Sequence, residues 1–381
     1  MANEQIYSNA RVVLAHEVLA PGTVCVRDGR IVDVAGGVSD LSAAHDLGGD
    51  WLLPGLVELH TDNLERHVTP RPKVSFAMAG ALQAHDAEMA AAGITTVFDA
   101  IGVGDPYDDG FRARDQSALL HALDTMDAAG VLRADHRVHV RCELPAANAR
   151  ELFAPFARHP RLALISLMDH TPGQRQWHDL GHARVFYTGR KGWSDAKFDH
   201  EVRLAPQRQE AYAEPNRRWF VDFALTHRVP LATHDDTTVE HVDQALALGA
   251  CMSEFPTTLA AAARACELGL ATVAGAPNVV RGASHSGNVS ALTLAREGLL
   301  DALSSDYAPS TLLAAAWVLM REAGFSPASA VALVSLGPAR ACGLADRGDI
   351  AVGQRADLVR VRELAGTPVV REVWRGGQRV A

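Results

Sequence analysis

Strict alternation of apolar and polar residues marks the two ends of the chain, while the long middle alternates short apolar runs with helical periods. Residues 23–34 (Thr-Val-Cys-Val-Arg-Asp-Gly-Arg-Ile-Val-Asp-Val) place two β-branched runs around Asp28-Gly29, which predicts a hairpin. Residues 356–361 and 368–380 have the same texture, with Gly376-Gly377 as the turn. Neither end is large enough to bury a good core alone, so the two are expected to pair into one small β-sandwich. The expected division is 1–53 and 345–381 for the sandwich and 54–344 for an inserted domain. That inserted domain opens on residues 51–62 (Trp-Leu-Leu-Pro-Gly-Leu-Val-Glu-Leu-His-Thr-Asp), an apolar run with a polar tip. Further strands are predicted at 94–99, 137–143, 162–168, 229–234, 251–255, 271–276 and 302–306. Helical patterns lie between them, for example 237–248 and 257–268, stopped by Gly249 and Gly269. Eight strands taking turns with helices predict an α/β fold, a (β/α)8 TIM-like barrel. Residues 171–210 are long, aromatic and basic for a connection, and read as an active-site lid.

Composition narrows the function. A net charge of −9 argues against non-specific nucleic-acid binding, though it permits a local basic pocket for a small anion. No apolar run reaches the length of a membrane span, and the first residues lack the basic and apolar regions of a signal peptide. The five cysteines are odd in number and scattered, which points to reduced thiols and a cytoplasmic protein. No G-x-G-x-x-G follows the first strand and no Walker A sequence occurs, which disfavours nucleotide-binding folds.

In such barrels chemistry gathers at the C-terminal ends of the strands. Those ends carry His60 and Asp62, Asp99, Glu143, Asp169 and His170, His234 with Asp235 and Asp236, Glu254, Asn278, and Asp306. His60 and Asp62, at i and i+2 of a strand, leave the same face about 7 Å apart. Taken singly, such residues are more often caps or solvated groups; a ligand-type residue at nearly every strand end is not. Two divalent ions (Zn, or Mn/Fe) would be nearly balanced by Asp62, Glu143, Asp306 and a bridging hydroxide, with His60, His170 and His234 as neutral ligands. Asp306 is the expected proton acceptor and catalytic residue.

Several longer motifs then carry a resemblance. The terminal sandwich, residues 53–62 and the late Asp306 resemble the amidohydrolase superfamily. Residues 59–65, 69–73, 141–145, 166–170, 172–176, 253–258, 275–282, 284–288 and 303–307 resemble its phosphonate-metabolism diphosphatases, in order along the chain. The resemblance implies hydrolysis of a small-molecule substrate, α-D-ribose 1-methylphosphonate 5-triphosphate, to 5-phospho-α-D-ribose 1-methylphosphonate and pyrophosphate. That step precedes C–P bond cleavage in the carbon–phosphorus lyase pathway. Such barrels are commonly dimers or tetramers, so a homo-oligomer is expected. Two departures from the wider superfamily stand out: His-x-Asp replaces His-x-His, and Glu143 stands in for the carbamylated lysine often found. Both add oxygen ligands, admitting harder ions.

A polyanionic substrate calls for a basic patch: Arg71, Lys73, Arg175, Arg190, Lys191, Arg281 and His285 are the candidates, the last two in or beside a glycine-rich loop. Glu254 is grouped with these substrate-facing residues, with metal ligation and an orienting role left open. Competing readings are hydrolysis of a C–N bond, as in an N-acyl sugar phosphate deacetylase or cyclic amidase, and a non-catalytic barrel serving as a scaffold.

Overall fold

The computed structural model describes residues 4–71, 74–107, 116–189, 191–284 and 287–381. Eight parallel strands form the central sheet: β1 (Leu56–Thr61), β2 (Ile94–Val103), β3 (Asp135–Glu143), β4 (Leu162–Met168), β5 (Leu231–His234), β6 (Met252–Glu254), β7 (Ala271–Gly275) and β8 (Ala302–Ser304), each pairing with the next. A parallel bridge between Thr61 and Asp306 brings the last strand to the first and closes the ring. The backbone N–H of Asp62 donates to Asp306 O and that of Asp306 to His60 O, both at 3.1 Å. The barrel is therefore sewn shut at His60, Asp62 and Asp306, three residues expected to carry chemistry.

The interior shows why these short runs become strands. Val57, Leu59, Phe98, Leu164, Ala232, Met252, Val273 and Ala302 meet in one buried cluster, drawn from seven of the eight strands. Two residues further along three of them stand Ser166, His234 and Glu254. Side chains at i and i+2 share a face, so a polar layer sits directly above the apolar one, toward the C-terminal ends. The outward residues of β3 and β4, such as Val138, Val140, Ile165 and Leu167, pack on the surrounding helices with Leu82, Leu119 and Phe220. Burying these apolar faces on both sides is what a parallel sheet requires.

The strands at the two ends of the chain pair as expected. Leu358–Leu364 runs antiparallel to Trp51–Pro54, the strand that leads into the barrel. The result is one eight-stranded sheet rather than two separate layers. It curls on itself, so that a Cβ on Gly29 would lie 2.7 Å from Gly376 O, and both turns need glycine for that approach. Tyr7, Val24, Leu52, Leu358 and Trp374 fill the enclosed core.

The long connection after β4 is built, not loose. It contains a short 3-10 turn (Arg175–Trp177) and helices Leu180–Gly189 and Asp195–Arg208, the latter capped by Ser194, whose Oγ accepts from Lys197 N. Trp177, Tyr187, Trp193 and Phe198 give it its own buried cluster. A Cβ on Gly287, beyond β7, would lie 2.8 Å from His182, while Tyr107, beyond β2, hydrogen-bonds Tyr187 at 3.1 Å. The segment thus roofs the barrel mouth from one side to the other. No helix among the described residues is long and apolar enough to cross a membrane.

Candidate active site

One cavity of about 780 Å³ opens at the C-terminal ends of the strands, under that roof. His60, Asp62, Glu143, His170, His234 and Asp306 all line it. Six residues spread over some 250 positions of sequence therefore converge because each ends, or directly follows, a barrel strand. The backbone there is unusual: Asp235, Phe255 and Asp306, just beyond β5, β6 and β8, have φ of 56°, 54° and 54°. Left-handed conformations at non-glycine residues are costly, and they turn the chain sharply outward at the mouth.

The residues fall into two linked groups. In the first, the His60 imidazole donates through Nδ1 to Glu254 Oε1 at 3.1 Å. The other Glu254 oxygen accepts from Ser166 Oγ, which also lies 2.7 Å from His139 Nε2, and His139 Nδ1 donates to Leu59 O at 3.0 Å. Beneath them Glu58, fully buried, accepts from the backbone N–H of His60 and Ser305 and from Ser304 Oγ. Burial pushes the Glu58 carboxyl up to about 7 in spite of those donors. In the second group, Glu143 Oε2 pairs with His170 Nδ1 at 2.6 Å, and Asp235 Oδ2 lies 2.7 Å from His234 Nδ1 and 3.7 Å from His170 Nε2. The His60 and His234 rings, 5.4 Å apart, join the two groups.

Electrostatics single out three of these side chains. Burial, followed by the nearby Asp62 carboxylate, raises Asp306 to about 7, partly relieved by Arg141. Two acids without a full counter-charge cannot both ionise cheaply. Burial, with Arg141 and His234 as further causes, holds His60 well below the usual imidazole range, so it is neutral. Burial lowers His234, but Asp235 overrides this and its net shift is upward.

These residues fit a divalent metal. His234 Nε2 is buried and has no hydrogen-bond partner among the described residues, an arrangement a metal bond would satisfy. His60 and His234 each hand their Nδ1 hydrogen to a carboxylate, which frees Nε2 as a ligand atom. A cation would also stabilise the crowded Asp62 and Asp306 carboxylates. His170, His234 and Asp235 place ligand atoms within 4.8 Å of one another, as do His60, His139 and Glu254.

Other sequence-designated residues lie elsewhere. Glu254, expected to face substrate, is fully buried beneath the cavity with both oxygens engaged, and it touches His60 instead. Arg175 is not on the cavity wall; its guanidinium donates to His234 O at 3.0 Å and Asp236 Oδ1 at 2.8 Å, clamping the turn beyond β5. Arg71 is exposed in a bridge with Val74, away from the cavity lining. Lys73, Arg190 and His285 lie outside the described residues. Lys191 and Arg281 do line the cavity. Asp99 is not at a strand end, because β2 runs on to Val103; its two oxygens are held by His85, on the helix Met78–Ala91, at 2.7 Å and by His136, on β3, at 2.8 Å. Asp169 accepts from Thr171 N and Gln209 Nε2, tying β4 to the roof.

The structure adds residues that sequence reasoning did not single out. Arg141, two positions before Glu143 on β3, lines the cavity with its guanidinium 3.9 Å from Asp62. The i, i+2 spacing that linked His60 to Asp62 applies equally to Arg141 and Glu143, and was the available signal. His139 and Ser166 carried no such signal, since they act through Glu254 from other strands.

Comparison with known proteins agrees with this geometry. An α-D-ribose 1-methylphosphonate 5-triphosphate diphosphatase of Escherichia coli (strain K12) is 42% identical over 381 residues, covering 98% of this chain and 100% of that protein. Among solved structures, A. niger ochratoxinase has a TM-score of 0.67 at 14% identity, covering 99% of this chain and 95% of that one. An N-acetyl-D-glucosamine-6-phosphate deacetylase from Mycobacterium smegmatis has a TM-score of 0.61 at 16% identity, with 99% of each chain covered. Likeness at that identity speaks to the fold alone. The family model described as the amidohydrolase family matches residues 51–380, which takes in the whole barrel and four of the eight strands of the terminal sheet. With that match and the strand-end acids and histidines in one cavity, the chain belongs to the amidohydrolase family.

Proposed function

We propose that this protein is a metal-dependent hydrolase that converts α-D-ribose 1-methylphosphonate 5-triphosphate to 5-phospho-α-D-ribose 1-methylphosphonate and pyrophosphate, within phosphonate catabolism. The observation that carries the reading is the end-to-end identity of 42% with the Escherichia coli diphosphatase. It is supported by a cavity in which acids and histidines at the floor meet cations at the wall.

His60, Asp62, Glu143, His170, His234 and Asp306 are the residues that would hold divalent metal, two ions in this reading, with zinc, manganese or iron all compatible with nitrogen and carboxylate donors. Bound metal supplies Lewis acidity and lowers the pKa of water. Asp306, just beyond β8 on the cavity floor, is the residue that would accept the proton of the attacking water and release it afterwards. Arg141 stands beside Asp62 and faces charge building on the transferred phosphorus. Arg281 offers donors to the anionic ends of the substrate. Water adds to phosphorus, the α–β anhydride bond breaks, and pyrophosphate leaves. All five cysteines are unpaired, which favours a reducing, cytoplasmic setting.

Incubating metal-loaded protein in parallel with the ribose triphosphate and with an N-acetyl sugar phosphate tests this. Pyrophosphate release from the first and no deacetylation of the second is the expected result. Turnover of the amide without pyrophosphate release would move the assignment to C–N hydrolysis.

A further inference from the structure

Of the three left-handed residues just beyond barrel strands, one is out of character. Asp235 and Asp306 are of a type that enters this region readily, whereas Phe255, with φ of 54°, carries a bulky ring there. A glycine would turn without strain, as Gly249 and Gly269 do at the ends of the flanking helices. Strain of this kind persists only where the surroundings hold it, and it gathers at functional positions.

The surroundings of Phe255 are specific. Its backbone N–H donates to Val273 O at 2.8 Å, and two residues on Thr257 N donates to Asp236 O at 2.9 Å. The ring meets His60 edge-on at 5.0 Å and His234 at 5.2 Å. Among the described residues no other ring except histidine contacts either of them. A Cβ on Gly275 would lie 3.8 Å from both Phe255 Cε1 and Pro277 Cδ, so ring and proline flank one point on the wall between β6 and β7. Phe255, Pro256, Gly275 and Pro277 all line the cavity. The ring is only partly buried and joins none of the apolar clusters that fill the barrel or pack its helices. Core packing therefore does not account for the strained turn.

The proposed substrate has one part that suits such a wall. Its phosphonate and phosphates are anions, which the negative face of an aromatic ring repels. The ribose presents C–H groups, and a single oxygen joins its C5 to the α-phosphorus. A phosphorus reacting over His60 and His234 carries the sugar to the ring that contacts both.

We propose that Phe255 is the specificity-determining wall for the sugar, against which the ribose lies while the α-phosphorus faces the floor. This assignment rests on the substrate proposed above, and the test separates the two. Ribose 5-phosphate, which has the sugar, and inorganic triphosphate, which lacks it, are titrated calorimetrically into the metal-loaded full chain and its variants at matched metal content. Phe255→Ala and Phe255→Gly should weaken ribose 5-phosphate about tenfold and triphosphate by no more than about twofold, and Phe255→Tyr should restore most of the loss. A ring that merely braced the histidines would weaken both ligands alike. In the metal-free protein Phe255→Gly should melt about 1–2 °C above Phe255→Ala, because only glycine relieves the left-handed strain. Equal losses for the two ligands, no loss for either, an alanine variant that melts no lower than the glycine one, or a wild type that fails to bind ribose 5-phosphate overturns the assignment. Phe255-dependent binding of ribose 5-phosphate in a protein that releases no pyrophosphate from the ribose triphosphate would keep the wall and reject the substrate.

Discussion

Glu254 fixes His60. Their contact, Nδ1 to Oε1 at 3.1 Å, joins side chains with 2% and 0% exposure and lies 194 residues apart in sequence. It sets the tautomer, because a carboxylate can only accept, and it turns Nε2 of His60 toward the cavity. Glu254→Ala should therefore lower metal affinity about 10–100-fold, with Glu254→Gln milder, as read by competition with a chromogenic chelator. Equal affinity in the alanine variant would mean that His60 needs no such support.

Asp62 makes the complementary case from the other flank. Removing its carboxylate takes away a ligand candidate and the neighbour that helps raise Asp306. Asp62→Ala is expected to lose metal and to cut kcat by about 10²–10⁴-fold, while circular dichroism and the melting transition of the metal-free protein stay close to wild type. Full activity in this variant would remove the opening element of the site from the mechanism.

Away from the mouth, His136 lies between two carboxylates, with Nδ1 2.8 Å from Asp99 and Nε2 3.2 Å from Asp86. Burial alone would lower it, but Asp99 and Asp86 dominate and raise it to about 9. A raised histidine stabilises the fold fully below its unfolded value near 6.5 and loses that contribution as pH climbs through 9. The shift corresponds to roughly 3 kcal/mol. Melting temperature should fall between pH 6.5 and 9, and His136→Gln should flatten that slope while lowering stability at pH 6.5. The same slope in variant and wild type would place the titration elsewhere.

Arg175 tests the clamp beneath the roof. Its partner Asp236 is fully buried, and Thr233 and Ser253 supply its remaining donors. Arg175→Ala leaves that carboxylate short of its counter-charge, so unfolding free energy should drop by about 3 kcal/mol in a denaturant titration. A loss of pyrophosphate affinity without any loss of stability would instead return Arg175 to the substrate-binding set.

What was legible in the sequence follows the range of the forces involved. Strand runs such as 162–168 were readable because a buried parallel strand must be apolar over its length. The polar tips were readable because fold geometry assigns chemistry to one end of each strand. Asp99 misled, since β2 continues four residues past it and the facing of a strand residue depends on where the strand stops. Glu254 and Arg175 were misplaced for a shared reason. A charged residue beside the site looks the same in sequence whether it meets substrate or a buried partner, and that partner comes from another strand. The aromatic cluster of the roof was visible only as composition, because an edge-on ring contact joins Tyr107 to Trp193 from two separate connections.

The central claim concerns which bond is broken, and phosphorus NMR of the complete reaction reads it directly. Metal-loaded protein mixed with α-D-ribose 1-methylphosphonate 5-triphosphate should give pyrophosphate and a single 5-monophosphate ester in equal amounts, with the phosphonate resonance retained and no conversion after chelation. Stepwise appearance of orthophosphate, loss of the phosphonate signal, or an unchanged triphosphate in the presence of metal would contradict it.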